Sequence, residues 1–353
     1  MIELKTLNKN QLLNFINSEA YLQMPILPIS RHRAISHINN PRAFDDDILL
    51  IIAYEGSQML GYLGILPDTV QNLHVGWLSC IWVSPLARGK GIAKKMVLMA
   101  YESYQQRILI TNYTPEAETL YHKLGIFEPL YVLKGKRFYR KMCLSKIIPH
   151  RFPRWANLLI LYKGIDLLAN LFINPVLFLS PKNVPEKIKI NKLESFTEQH
   201  QHYIELHQQS IFNRTISEWL WIKNYPWLKQ VNIKSDEAKR YHFSSEEKQF
   251  ESVFYEVLYQ NECVALMMIL YKNGHLRFPY IIYNKVYKTQ LEHTLSYIVK
   301  QYNPHYVSLF FSELNLPIQA FYKKTIIRKY LKTKDLDINN VLLYDGDGDA
   351  AFT

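Results

Sequence analysis

The sequence is poor in cysteine, with only Cys80, Cys143 and Cys263 in 353 residues. Their number is odd, they lie far apart in the chain, and each falls within an apolar, strand-like stretch. This distribution argues against a disulfide framework, and we interpret all three as buried free thiols in a reducing compartment. The N-terminus also lacks the apolar core of a secretory signal peptide, so we expect a cytoplasmic protein.

Acidic residues are fewer than basic ones. The chain has 31 Asp and Glu against 42 Lys and Arg, which gives a net charge of +11. Such a balance favours an anionic partner: nucleic acid, an anionic membrane face or a phosphorylated ligand. No nucleic-acid-binding motif is present, so we expect no nucleic-acid partner. The length and a hydrophobic content of 48% predict two globular domains.

Residues 146–186 are apolar but lack the run of about 18 clean apolar residues that a spanning helix needs, because Lys163 and Asp166 interrupt them. One interpretation is a pair of linker helices packed between two domains. The alternative is an in-plane membrane helix, and therefore peripheral membrane contact through residues 151–179. Its headgroup contacts would be Trp155, Arg151 and Arg154.

Strand and helix patterns alternate over the first 145 residues. Apolar strands are predicted at DDILLIIAYEG, QMLGYLGILPDTV, GWLSCIWVS and RILITNYT. Between the last two lies GIAKKMVLMAYESYQQ, which places Ile92, Met96, Met99 and Ala100 on one helical face. This order predicts a mixed α/β domain.

A similar order starts again near residue 188. The segment HYVSLFFSELNLPIQAFYKKTI repeats QRILITNYTPEAETLYHKLG as a buried strand, a short turn with a proline, and a helix. The second half has no glycine-rich loop, since HLRFPYIIYNKVYKTQ stands where the first half has SCIWVSPLARGKGIAKKM. The sequence therefore predicts a duplicated domain whose second copy is degenerate.

The stretch SPLARGKGIAKKM joins a predicted buried strand to an amphipathic helix. Its glycines do not have the spacing of a P-loop, and the third glycine of a dinucleotide fingerprint is replaced by Lys94. Small residues still let the backbone approach a ligand, and the first N–H groups of the helix are unsatisfied. The physical chemistry therefore favours an anion at this loop.

Two motifs carry a resemblance to a known family. Arg88, Gly91 and Ala93 form the pattern R-x-x-G-x-A, which resembles the acetyl-CoA pyrophosphate loop of the GNAT superfamily of N-acyltransferases. The segment from Asn112 to Gly125 is similar to that family's second signature, a strand-end Asn and a helix that carries a Tyr shortly before a Gly-Phe pair. In this chain Ile126 splits that pair.

The resemblance implies an α/β fold with two GNAT-like domains, each a central, mostly antiparallel sheet flanked by helices. It places an acyl-CoA-binding catalytic domain at residues 1–147, apolar and basic linker helices at 148–186, and a degenerate copy with an acidic tail at 187–353. The co-substrate it implies is acetyl-CoA, and we expect no metal.

The same resemblance implies roles for single residues. The pyrophosphate would be bound, mostly through backbone N–H groups, by Arg88, Gly89, Gly91, Ile92 and Ala93. The thioester and pantetheine would face the backbone of Ile81, Trp82 and Val83, with Asn112 beside them. Tyr121 would protonate the leaving thiolate.

One part of the family pattern is missing. A Glu or Asp often lies on the strand before the loop, whereas Leu78–Val83 contains no carboxylate. We expect a water chain or His74 to accept the proton of the amine.

The tail from Asp345 to Asp349 alternates carboxylates with glycine but lacks the remaining positions of a calcium loop. We interpret it as a solvated acidic tail, with a contact to the substrate amine as the alternative.

Together these features predict an N-acyltransferase that moves an acetyl or other short acyl group from acyl-CoA to a primary amine. The positive charge suits an acidic acceptor, such as an amino sugar on a phosphate carrier or a nucleotide. One alternative is a transferase of the related tandem class that uses aminoacyl-tRNA, although such an enzyme needs no pyrophosphate loop. The other is a non-catalytic membrane-surface scaffold built on GNAT folds.

Overall fold

The computed structural model describes residues 1–178 and 187–352, without the side chains of His150 and Arg151. The strands are β1 (Ile2–Leu7), β2 (Leu50–Glu55), β3 (Gln58–Val70), β4 (Leu73–Val83), β5 (Ile108–Thr111), β6 (Phe127–Tyr139), β7 (Ile188–Lys192), β8 (Lys229–Gln230), β9 (Glu246–Glu247), β10 (Phe250–Tyr259), β11 (Glu262–Lys272), β12 (His275–Tyr283), β13 (Tyr306–Leu309) and β14 (Tyr322–Thr333). The helices are α1 (Lys9–Ile16), α2 (Glu19–Gln23), α3 (Arg31–Ile38), α4 (Ile92–Ser103), α5 (Pro115–Leu124), α6 (Leu144–Arg151), α7 (Leu159–Phe178), α8 (Glu198–His207), α9 (Ile216–Asn224), α10 (Asp236–Arg240) and α11 (Lys288–Tyr302). Short 3-10 turns lie at Pro85–Ala87, Pro153–Leu158, Lys285–Tyr287 and Gly348–Phe352.

The chain folds as two compact units. Unit 1 contains Met1–Leu133, Glu194–Ser252 and Arg328–Thr353, and unit 2 contains Lys134–Leu193 and Val253–Ile327. These boundaries differ from the predicted ones at residues 147 and 187, because both units combine segments from the two halves of the sequence. Segment 194–252, which we assigned to the second domain, belongs to unit 1.

In unit 1 the sheet has the order β1-β2-β3-β4-β5, followed by the C-terminal part of β14. Neighbours are antiparallel except β4 and β5, which are parallel and joined by α4. Side chains of β2 and β3 alternate between two cores: Ile51 and Leu63 pack on one face, Ile52 and Tyr62 on the other. Both faces of this sheet are therefore covered.

In unit 2 the order is β7-β10-β11-β12-β13, followed by the C-terminal part of β6. Strands β12 and β13 are parallel and joined by α11, while β11 and β12 are antiparallel. This is the same sequence of strands and crossover helix as in unit 1. The predicted fold class, α/β with mostly antiparallel sheets flanked by helices, is confirmed.

Each sheet is completed by a strand from the other half of the sequence. Residues Lys332–Tyr330 of β14 pair with Leu109–Thr111 of β5 in unit 1, and Lys136–Tyr139 of β6 pair with β13 in unit 2. A strand edge carries unpaired N–H and C=O groups that a new neighbour satisfies. This pairing explains why the compact units do not follow the sequence halves.

One predicted helix is wrong. The segment around Phe321 was expected to mirror α5, but β14 begins at Tyr322 and runs to Thr333. From Ile326 onward its side chains alternate between partly buried and exposed positions until Tyr330, which is the two-residue period of a strand. The second half therefore has no counterpart of α5 after β13, but the similarity resumes with β14, which completes the sheet of the other half as β6 does.

Helix α7 directs two polar side chains towards the protein and most of its apolar side chains outward. Asp166 and Asn170 are turned inward, whereas Leu168 and Phe172 are 62% and 79% exposed. The stretch Pro153–Leu177 is long and apolar enough to cross a membrane, and only 11% of its most apolar window is buried. Helices do form here, α6 and α7, and the exposure of α7 favours the in-plane alternative, while the role of these helices as a linker stays a prediction. Residues 179–186 and the Arg151 side chain, both part of that prediction, lie outside the described parts.

The three cysteines are free, but only Cys143 is buried. Cys80 and Cys263 are partly exposed, so the expectation of three buried thiols is wrong for these two. For Cys80 the reason is local, since it lies in β4 where that strand parts from β5.

Candidate active site

Strand β4 parts from β5 halfway along its length. Its pairing with β5 runs from Gly76↔Ile108 to Leu78↔Ile110, while on the other side β4 stays paired with β3 as far as Val83. The register with β3 shifts between Tyr62 and Gly64, opposite Cys80, whose φ is +56°. Such a bulge re-aims the backbone. Residues 79–83, which include Ile81, Trp82 and Val83, therefore present a strand edge that is not paired with β5.

The glycine-rich loop lies between β4 and α4. Gly91 is the N-cap of α4 in a left-handed conformation, with φ +72°, and no side chain caps this helix. A Cβ at Gly89 or Gly91 would meet no atom within 4 Å, so both glycines border open space. Arg88 is exposed and Ala93 partly exposed, whereas Ile92 is buried and anchors the helix. The uncapped N–H groups of α4 can therefore receive an anion.

Asn112 and Tyr121 lie on the other side of the gap. Asn112 follows β5 in a left-handed conformation with φ +53°. Tyr121 is carried by α5, which Thr114 caps at its N-terminus, and it is only 3% exposed. Burial, and then the nearby Asp349 and Tyr113, raise the pKa of Tyr121 well above its usual range. Its hydroxyl therefore stays protonated at neutral pH and can act as a proton donor.

A carboxylate from the end of the chain lies at the same gap. Asp349 Oδ2 accepts a hydrogen bond from Ser79 Oγ at 3.1 Å, and Asp349 Oδ1 lies 3.4 Å from Asn112 Nδ2. Ser79 is the first residue of β4 beyond its pairing with β5. Asp349 is partly exposed, so its carboxylate is reachable from the gap. Leu78–Val83 of β4 contains no carboxylate, but the fold brings the carboxylate of Asp349 next to this part of the strand.

The family comparison agrees with this geometry. Residues 16–126 match the acetyltransferase (GNAT) family, and this range contains β4, the loop, α4, Asn112 and Tyr121. Residues 16–126 form a GNAT acetyltransferase domain. No curated protein matches the chain.

Several solved structures resemble the whole chain. A probable N-acyltransferase from Enterococcus faecalis V583, described as a conserved protein of unknown function, has 9% identity and a TM-score of 0.51, covering 94% of this chain and 73% of that one. A tandem GNAT protein from the clavulanic acid biosynthesis pathway has 10% identity and a TM-score of 0.49, covering 96% and 100%. A GCN5-related N-acetyltransferase from Anabaena variabilis ATCC 29413 has 9% identity and a TM-score of 0.48, covering 94% and 72%. At such identities the likeness concerns the fold alone.

The C-terminal segment that brings Asp349 to the GNAT domain is firmly buried. Asp347 is fully buried and accepts hydrogen bonds from Ser210 Oγ and the Tyr344 backbone N–H, both at 2.7 Å. Gly348 has a φ of +81°, and a Cβ there would come within 3.2 Å of Trp77. The prediction of a solvated acidic tail is therefore wrong, because Asp345 and Asp347 are at most 1% exposed.

Buried ion pairs hold the same segment. Arg214 lies 3.0 Å from Asp68 and 3.8 Å from Asp347, and Arg42 lies 2.7 Å from Asp68. Burial alone would raise the pKa of Asp68, but Arg214 and Arg42 outweigh it and hold that pKa below its usual range. For Asp347 burial outweighs the more distant Arg214 and raises its pKa above the usual range. Removal of Arg214 would therefore take a cation away from two buried carboxylates, which is strongly destabilising.

Apolar residues close the segment. Phe352 is 1% exposed and stacks on Trp227 at 4.8 Å, with Trp221 at 4.7 Å. The Trp227 backbone N–H donates to the Phe352 carbonyl at 3.2 Å. The run Ala350-Ala351-Phe352, directly after the acidic residues, was the signal in the sequence that could have indicated burial, since such side chains are most often buried.

A buried cation lies behind Ser79. Arg33 of α3 is 4% exposed; its Nη2 donates to Ser79 Oγ at 2.5 Å and its Nη1 to Tyr241 Oη at 3.0 Å and to the Cys80 thiol. The guanidinium also lies 3.8 Å over the Trp227 ring. Burial lowers the pKa of Arg33, but Cys80 and Tyr241 more than offset this, so the group stays charged. Sequence reasoning missed Arg33, which has no motif around it.

The other predicted proton acceptor, His74, lies elsewhere. It is five residues before Ser79 on β4, a separation of about 16 Å along a strand. Its Nε2 is 2.8 Å from Asp47 and its ring stacks on Tyr104. Within residues 1–178 and 187–352, no three His, Cys, Asp or Glu side chains are grouped to hold a metal ion.

Proposed function

We propose that the protein is an N-acyltransferase that moves an acetyl or other short acyl group from acyl-CoA to a primary amine. The observation that supports this most is the meeting of three features at one gap: the unpaired edge of β4, the uncapped start of α4, and the Asp349 carboxylate beside Ser79. An anionic cofactor tail, an electrophilic carbonyl and an ammonium each find a matching partner there.

Acetyl-CoA is the proposed co-substrate. The N–H groups of Gly89, Gly91, Ile92 and Ala93, with the Arg88 side chain, would hold the pyrophosphate. The backbone of Ile81–Val83 would then align the pantetheine and place its N–H groups near the thioester oxygen. Asn112 would bound the arm on the β5 side.

The amine must lose a proton before it attacks, because an alkylammonium has a pKa of about 10.4. In our proposal Asp349 attracts the ammonium and accepts its proton, and Arg33, through Ser79, keeps that carboxylate oriented. Attack forms a C–N bond and an oxyanion, which the β4 N–H groups stabilise. The C–S bond then breaks, Tyr121 protonates the thiolate, and the second proton of the nitrogen restores Tyr121. One proton leaves to solvent for each acyl group transferred.

Calorimetry with acetyl-CoA tests the cofactor site. The intact chain should bind acetyl-CoA, and Gly91→Arg should lose binding because its side chain would fill the pyrophosphate position. Gly91→Asn is the matched control, since Asn tolerates the left-handed backbone and is small. If the intact chain has no affinity for any acyl-CoA, the enzymatic proposal fails.

The proposed acceptor is a bulky, acidic amine, such as an amino sugar on a phosphate carrier or a nucleotide. The net charge of +11 supports this class. A screen of primary amines should find the highest turnover with phosphate-bearing acceptors. If only neutral or cationic amines react, this part of the proposal is wrong.

We also propose peripheral membrane contact through residues 151–179, while a cytoplasmic location stays a prediction. The supporting observation is the outward apolar face of the Pro153–Leu177 stretch, which includes Trp155 at 58% exposure. Contiguous exposed apolar faces mark sites of membrane or protein contact. Vesicle flotation with a single outward substitution tests this contact.

A further inference from the structure

A cavity of ≈ 580 Å³ in unit 2 lies beside α7. Its walls are the C-terminal half of α7, the residues that follow β6 and the end of α11. The residues that line it are Arg140, Lys141, Leu171, Asn174, Pro175, Leu177, Lys300 and Asn303. None of these is acidic, so three cationic side chains face one another across an apolar and amide lining.

Arg140 is the most deeply buried cation that lines this cavity. It is 3% exposed, its Nη1 donates to the Val299 carbonyl at 3.2 Å, and its buried Nε has no hydrogen-bond partner. A buried guanidinium donor without a partner costs free energy until an acceptor arrives. Arg140 therefore brings to the cavity lining a donor that no protein group satisfies.

Burial and the charge of Arg140 disfavour the charged forms of the cations that line the cavity. Burial lowers the pKa of Arg140 to about 10. Burial, followed by repulsion from Arg140, also lowers the pKa of Lys141 and of Lys300. An anion in the cavity would remove this repulsion, and a phosphate has enough oxygens to reach several donors.

The orientation of α7 connects this cavity to an apolar surface. Asp166 accepts hydrogen bonds from the backbone N–H groups of Leu144 and Ser145 at 2.7 and 3.0 Å. Asn170 bonds to both backbone groups of Met142 at 2.9 Å. These bonds hold Asp166 and Asn170 against the protein and leave the opposite, apolar face of α7 exposed. Leu171, at 60% exposure, is at once a wall of the cavity and part of the outward apolar face.

We propose that this cavity binds the phosphate headgroup of an anionic membrane lipid, with the acyl chains along the outward face of α7. The proposal rests on the proposed membrane contact and adds to it a lipid class and a site. A cation cluster that opens onto exposed leucines suits an amphiphile, since a soluble phosphate would leave the apolar wall uncovered. The Arg140 Nε, Lys141 and Lys300 would contact the headgroup oxygens.

Flotation of the full chain with vesicles tests the site. Vesicles of phosphatidylcholine alone are compared with phosphatidylcholine containing phosphatidylglycerol. We expect preference for the anionic vesicles, and its loss in Arg140→Gln. Lys300→Gln should weaken binding by about five-fold, the usual effect of one basic residue at an anionic surface. Lys324→Gln, an exposed lysine of unit 2 away from this cavity, removes the same charge and should change little.

The possible outcomes distinguish the headgroup site from the membrane contact. Equal binding to both vesicle types keeps the membrane contact but overturns the headgroup site, and so does an equal loss in Lys300→Gln and Lys324→Gln. Failure to float with any vesicle overturns the membrane contact as well. Displacement by inorganic phosphate at the lipid concentration would identify free phosphate as the ligand instead. Thermal unfolding of Arg140→Gln, followed by circular dichroism, reports whether the variant is folded, independently of lipid.

Discussion

The Ser79 hydroxyl and the Asp349 carboxylate are 270 positions apart in the chain and 3.1 Å apart in the structure. Ser79 is the first residue of β4 that no longer pairs with β5, and Asp349 lies in the 3-10 turn Gly348–Phe352. Their contact places a carboxylate at the gap between β4 and β5, where we propose that the amine binds. It also makes the C-terminal segment a part of the candidate active site.

Replacing Asp349 by Asn should slow acyl transfer by about 100-fold or more, the usual loss when a positioned proton acceptor is removed. Acetyl-CoA affinity should not change, since the loop is untouched. The rate is measured as thiol release with the best amine of the acceptor screen. Asp337→Asn, an exposed aspartate of the same segment, is the control and should keep full activity. An unchanged rate in Asp349→Asn would assign the proton to another group.

Tyr121→Phe should lower kcat by about 100-fold while acetyl-CoA binding stays the same. The pKa of Tyr121 is raised, first by burial, so its hydroxyl remains a donor up to pH values above the ordinary tyrosine pKa of about 10. The pH–rate profile of the intact enzyme should therefore show no loss of activity from this group below that value. Tyr113→Phe, its ring neighbour, serves as the comparison.

His37 should make the fold sensitive to acid. Burial, and then Arg33, lower the pKa of His37 well below 6.5. Below about pH 6.5 His37 binds a proton in the unfolded chain but not in the folded chain. Stability that is present above this pH is therefore lost as the pH falls. The slope is at most about 1.4 kcal/mol per pH unit. Denaturant unfolding should give a flatter slope for His37→Gln, and the native slope for the exposed His122→Gln.

Phe352→Ala should destabilise unit 1 by about 3–5 kcal/mol, because it empties the space between Trp221 and Trp227. It should also slow acyl transfer, since the segment that carries Asp349 would lose its anchor. Thermal unfolding measures the first effect. Leu342→Ala, at a position already 37% exposed, should stay within about 0.5 kcal/mol of the native protein.

Phe172→Asp should abolish vesicle flotation without lowering the melting temperature, because Phe172 is 79% exposed on α7. Ile233→Asp is the matched control: it is 86% exposed, but in unit 1, and should float normally. A large drop in melting temperature for Phe172→Asp would indicate that this face is packed in the native protein.

The sequence predicted the parts of the GNAT domain that depend on local order. The strand-loop-helix with Gly91 and the helix that carries Tyr121 are contiguous segments, and both lie as predicted within residues that match the family. The two-residue and helical periods were also sufficient for the α/β class. Turn glycines and amphipathic faces act over a few residues, so they can be read without knowing the fold.

Tertiary structure decided what depends on distant segments. Strand β14 joins β5 and Asp349 joins Ser79 only because the end of the chain folds back into unit 1. No local pattern encodes that return, since it depends on buried partners such as Arg214 and Trp227, which come from a part of the sequence assigned to the other domain. The sequence also did not indicate that the apolar face of α7 points outward. Composition gave its hydrophobicity, but only the bonds of Asp166 and Asn170 decided which side faces the protein.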